Sequence, residues 1–139
     1  MATVNLDTAS RLDIICRRGD SFELVIDFGV GLTETSAGNW KMQVATSDTA
    51  SPTLSVEGAL SGGTGAETGF SIGANSDSVA NAQLTVKIKS TTMAGLPSGM
   101  YVYDIQSDSN TAGTTAGTVK THLFGTLKVN EDVTTAGTP

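Results

Sequence analysis

From Leu12 onward the chain alternates apolar and polar positions with period two, the mark of strands that bury one face. Leu12, Ile14 and Cys16 fall on one side, Asp13 and Arg17 on the other. Arg18-Gly19-Asp20 breaks the run, and a Gly-Asp step between two alternating segments predicts a tight bend or hairpin. Phe22, Leu24, Ile26 and Phe28 then alternate with Ser21, Glu23, Val25 and Asp27, the clearest period-two run in the chain. Trp40, Met42 and Val44 predict the next strand, with the single tryptophan as a core anchor. Leu54 and Val56 predict a short strand, and Phe70 and Ile72 a weak one. Leu84, Val86 and Ile88 alternate with Thr85, Lys87 and Lys89. Tyr101, Tyr103 and Ile105 alternate with Val102, Asp104 and Gln106. Val119, Leu123, Leu127 and Val129 close the pattern, and Gly125 inside that run predicts a bulge or a bend.

The intervening segments carry turn chemistry. Residues 29–39 hold three glycines and several hydroxyl side chains and read as a loop. Residues 58–69 form a glycine-rich loop, residues 73–82 a polar crossing between sheets, and residues 108–117 a polar hairpin tip. Ser90 to Leu96 predicts one helical turn with a hydroxyl cap, ended by Pro97 and Gly99. Residues 1–11 read as a loose arm or edge strand and residues 135–139 as a mobile tail. That leaves residues 12–134 as a single domain. About eight short strands, spaced by roughly 10–15 residues, predict an all-β antiparallel sandwich rather than an α/β fold.

Composition narrows the function classes. The 139 residues are enough for one real core without a disulfide or a structural metal. The charged fraction is 16%, below the usual ~25%, and threonine, serine and glycine take its place. A net charge of −6 with scattered basic residues argues against nucleic-acid binding. Residues 1–11 lack the apolar core of a signal peptide, and no run approaches the ~20 apolar residues of a membrane helix. Ala2 excludes myristoylation at that position. The expectation is a chain made in a reducing cytoplasm. Its one cysteine, Cys16, reads as a small buried hydrophobe.

Several motifs invite a chemical reading, and each has a plainer one. Gly69-Phe70-Ser71-Ile72-Gly73 matches the nucleophile-elbow pattern, and Asp104 or Asp108 followed by His122 completes a triad order. No helical pattern follows Gly73, however, and His122 reads as exposed on a strand. Gly62-Gly63-Thr64-Gly65 lacks the lysine and the helix of a phosphate loop. Arg18-Gly19-Asp20 spells an adhesive tripeptide where ordinary turn chemistry is also expected. Asp104, Asp108 and Asn110 lie close enough in sequence to share a calcium ion, without the EF-hand spacing. Asp13, Glu23 and Asp27 fall at outward positions, where solubility explains them. The sequence therefore assigns no catalytic, cofactor-binding or metal-ligating residue and predicts a protein that is not an enzyme.

One pattern is more specific. Residues 84–89 lead into Thr91-Thr92-Met93-Ala94-Gly95-Leu96-Pro97-Ser98-Gly99, then Tyr101-Val102-Tyr103-Asp104. Further on come Gly117 to Thr121, Phe124 to Val129 and Asp132-Val133-Thr134. With the Arg18-Gly19-Asp20-Ser21-Phe22 step, this resembles a small domain of tailed-bacteriophage virion proteins over residues 12–134. The resemblance implies an immunoglobulin-like sandwich. It also implies a structural role in the virion, as an adaptor or attachment component of tail, baseplate, neck or fibre. The expected partners are other virion proteins in a symmetric, multi-copy assembly, with no nucleic acid and no membrane. Capsid decoration is the alternative within that class. A carbohydrate-binding or adhesin sandwich is the alternative outside it.

Overall fold

The computed structural model describes residues 9–32, 36–47, 51–58, 68–108 and 119–131. The alternating runs become nine strands: β1 Ser10–Arg11, β2 Ile14–Arg17, β3 Phe22–Asp27, β4 Trp40–Ala45, β5 Leu54–Glu57, β6 Gly69–Gly73, β7 Gln83–Ile88, β8 Gly99–Asp108 and β9 Val119–Asn130. The larger sheet has the order β1-β9-β8-β4-β5, with β2 following β1 along the same edge of β9. The smaller sheet is β3-β7-β6. The connections β1–β2, β4–β5, β6–β7 and β8–β9 each stay within one sheet, while β2–β3, β3–β4, β5–β6 and β7–β8 cross between sheets.

The inward positions fill the space between the sheets. Trp40, Met42, Val44, Tyr103, Ile105, Leu127 and Val129 from the larger sheet meet Phe22, Phe70, Leu84, Val86 and Ile88 from the smaller one. Each such side chain contributes about 1.5–3 kcal/mol on burial. The predicted helical turn is α1, Ser90–Ala94, which carries Met93 and then Leu96 into the core between β7 and β8. No side-chain hydroxyl caps α1. The Lys89 carbonyl accepts the amides of Thr92 and Met93 instead.

Two side chains anchor the sandwich around β4 and β8. The buried Trp40 stands at the start of β4, in the middle of the fold. Tyr101, near the start of β8, donates its hydroxyl to the Pro97 carbonyl at 2.6 Å, tying the strand to the corner that precedes it.

The structure departs from the sequence pattern at five further places. The sandwich is not wholly antiparallel, because β1 and β2 pair with β9 in parallel. Leu12 is not inward. It lies in the break between β1 and β2 and is 40% exposed, while Ile14 and Cys16 pack half-buried against the core. Residues 73–82 do not cross between sheets but close the β6–β7 hairpin. Gly125 makes no bulge. The irregularity falls between Ile105/Leu123 and Gln106/Thr121, which leaves His122 as the extra residue. That bulge also turns His122 inward rather than leaving it exposed.

Within the segment read as an arm or edge strand, Ser10–Arg11 forms the edge strand β1, which ends at residue 11. Residues 1–8, the tip at 109–118 and the tail from 132 lie outside the described residues.

Candidate functional site

The tempting serine motif is dispersed by the fold. Gly69 to Gly73 is the whole of β6, a regular strand and not a strand-to-helix turn. Ser71 pairs with Thr85 on the outer face of the small sheet, because Phe70 and Ile72 pair with the core residues Val86 and Leu84. Asp104 lies on the outer face of the large sheet. His122 sits between the sheets, its ring 4.7 Å from Trp40 and 5.7 Å from Phe28. Its Nε2 is 2.7 Å from the hydroxyl of Ser107, which is itself buried. Burial, and then the nearby Lys120 charge, push the His122 pKa below its ordinary value. Ser107, His122 and Trp40 thus form a packed polar–aromatic junction near the end of β8 and the start of β9.

The other motifs also find places. Gly19 takes a left-handed conformation with φ +86°, which favours glycine in the turn between β2 and β3. Arg18 is held there. Its Nε donates to the Ala94 carbonyl at 3.1 Å, and its guanidinium reaches Glu131 at 3.4 Å. Asp104 and Asp108 share one side of β8, but among the described residues no group of three His, Cys, Asp or Glu is placed to hold a metal ion. Asn110 and Gly62 to Gly65 lie outside the described residues. Among the described residues no helix is long and apolar enough to cross a membrane.

What the fold does assemble is the outer face of the large sheet. Strand register lays side chains across it in rows. Arg11, Phe124, Asp104, Gln43 and Ser55 form one row across β1, β9, β8, β4 and β5. Thr126, Val102 and Ala45 form the next, and Ile15, Lys128 and Met100 the third. A groove of about 400 Å³ runs over the first two rows, with Arg11, Gln43, Asp104 and Phe124 in its lining. Beside it Ile15 is 71% exposed and Met100 57% exposed, the most open large apolar side chains of the sheet.

The charges on this face are unevenly paired. Arg11 reaches Asp13 at 3.3 Å, and Lys41 reaches Glu57 at 3.5 Å. Asp104 makes no salt bridge among the described residues. Among the described residues its carboxylate accepts one hydrogen bond, from Gln106 Nε2 at a long 3.4 Å. Burial raises the Asp104 pKa, against the opposing pull of Lys41 and of that hydrogen bond.

The edge of the face is pinned beside the groove. The Tyr103 hydroxyl crosses to the Leu12 carbonyl at 2.5 Å, and Asp13 accepts the Thr126 amide at 3.0 Å. Burial and the neighbouring Asp13 push the Tyr103 pKa up to about 12, so the phenol stays a donor. The Thr126 amide holds the Asp13 carboxyl below its ordinary value.

The sequence pattern named Asp104 for other reasons and passed over Arg11, Gln43 and Phe124. Their only signal was an outward position on a strand, and neighbours on a face are created by pairing between strands far apart in sequence. No protein-family model matches the chain, and no curated protein sequence matches it.

Proposed function

We propose that this protein is a non-enzymatic assembly component, a sandwich that docks to other proteins through the outer face of its large sheet. The observation that carries this reading is the pairing of the groove with Ile15 and Met100 on one face. Exposed apolar side chains beside a groove are the anatomy of a binding patch, with an apolar centre and a polar rim.

The finer reading is a structural protein of a tailed-phage virion, at tail, baseplate, neck or fibre attachment. It draws its support from the sequence resemblance. The residues that carry the resemblance have structural work in this fold. Arg18 tethers a turn, Met93 and Leu96 plug the core, and Tyr101 locks the corner at Pro97.

Quantitative mass spectrometry of tailed-phage particles purified from cells that make the chain tests this reading. The expected result is the chain at a fixed stoichiometry, a few to a few dozen copies per particle. Hundreds of copies would move it to capsid decoration. Absence from particles would sink the virion reading, and saturable binding of a neutral glycan by the isolated chain would favour the carbohydrate-binding alternative.

A further inference from the structure

We infer that the groove over β9, β8 and β4 takes the cationic head of an arginine or lysine side chain from a partner protein, with Asp104 as its counter-charge and Phe124 as its platform. This deepens the assembly reading and rests on it, since it names the chemistry that the docking partner presents.

The argument begins with what Asp104 lacks. A carboxylate only accepts hydrogen bonds, and it gains most from a charged donor. Of the cations on its face, Arg11 and Lys41 make their ion pairs with Asp13 and Glu57, and Lys41 acts on Asp104 only through its field, without a direct ion pair. Asp104 is left with the single 3.4 Å contact from Gln106. It is also part-buried in a groove, where water stabilises it less than on an open surface. An incoming guanidinium replaces that lost solvation with direct hydrogen bonds.

The neighbours suit the same guest. Phe124, next to Asp104 in register, brings an aromatic ring into the groove's lining, the kind of group that attracts a cation. Gln43, on the other side, adds a polar wall. A groove of about 400 Å³ admits one long side chain, while Ile15 and Met100 remain outside it to meet the apolar surroundings of that anchor. Net charge decides between a basic partner and a second copy of this chain. At −6, two copies repel, whereas a basic partner is drawn in.

The test is a ¹⁵N-HSQC titration of the full chain with the peptide acetyl-Gly-Arg-Gly-amide, against the same peptide with citrulline in place of arginine. The arginine peptide is expected to give saturable shifts at millimolar concentration, confined to amides around Asp104, Phe124 and Gln43. Citrulline, of the same shape but neutral, should bind about tenfold more weakly, as should Asp104→Asn toward the arginine peptide. Phe124→Leu keeps the apolar bulk and should weaken binding about threefold. The rest of the spectrum reports whether each variant is folded.

Shifts spread evenly over the acidic surface would overturn the proposal. So would undiminished binding by Asp104→Asn, or no saturable shift at all. A failed titration with the chain present in particles removes the groove assignment alone. Absence from particles removes the virion reading whatever the titration shows.

Discussion

At Gly125 two parts of the chain distant in sequence pack tightly against each other. A Cβ built there runs into the Leu12 carbonyl and close to the Asp13 carboxylate. Glycine is needed for that approach, not for an unusual backbone angle. Gly125→Ala should therefore destabilise the fold by about 1–3 kcal/mol, the usual cost of overpacking. A urea titration of the purified variant checks this, and an unchanged midpoint would mean that the β1–β2 break can shift at no cost. Tyr101→Phe removes the 2.6 Å bond to Pro97 and should cost about 1 kcal/mol by the same measurement.

His122 sets a pH dependence. Its pKa in the fold is lowered by burial from 6.5, so below about pH 6.5 the unfolded chain binds the proton more readily. Stability from this group is complete above that pH and is lost as pH falls toward the folded pKa. The urea midpoint should drop between pH 7 and pH 5, and His122→Gln should flatten that drop. Asp104 has the opposite sign, because its raised pKa makes protonation favour the fold. The lowered pKa of Asp13 matters only at lower pH, below the ordinary 3.8.

Among the elements, β1 and β2 stand apart. They are short, they pair only with β9, and they are the parallel part of the large sheet. By contrast β7 is paired on both sides and places Leu84, Val86 and Ile88 in the core. Hydrogen exchange should therefore find the amides of β1 and β2 opening well before those of β7 and β8. Equal protection would show that the Tyr103, Asp13 and Arg18 tethers make the edge part of the same cooperative unit. The alternating pattern marked β7 and β8 clearly because each buries one full face. It misplaced Leu12 because the strand breaks there to pass Gly125, and no local sequence feature announces that meeting.

For the whole molecule, the outer face of the large sheet is where substitution should separate binding from folding. Ile15 and Met100 are exposed, so Ile15→Lys with Met100→Glu should leave the urea midpoint within about 0.5 kcal/mol of the parent. On the proposed virion role, incorporation into particles should fall at the same time. If incorporation is unchanged, the docking surface lies elsewhere on the sandwich.

Period-two alternation determined that the chain forms strands, which residues of the central strands face inward, and that two sheets enclose one core. Those properties follow from local geometry, in which successive side chains point to opposite faces. Tertiary structure alone decided that β1 and β2 run parallel to β9, that the bulge falls at His122, and that residues 73–82 turn back within one sheet. It alone set Arg11, Phe124, Asp104 and Gln43 in one row. These depend on register between strands that lie tens of residues apart in sequence, and register is settled by packing across the whole core.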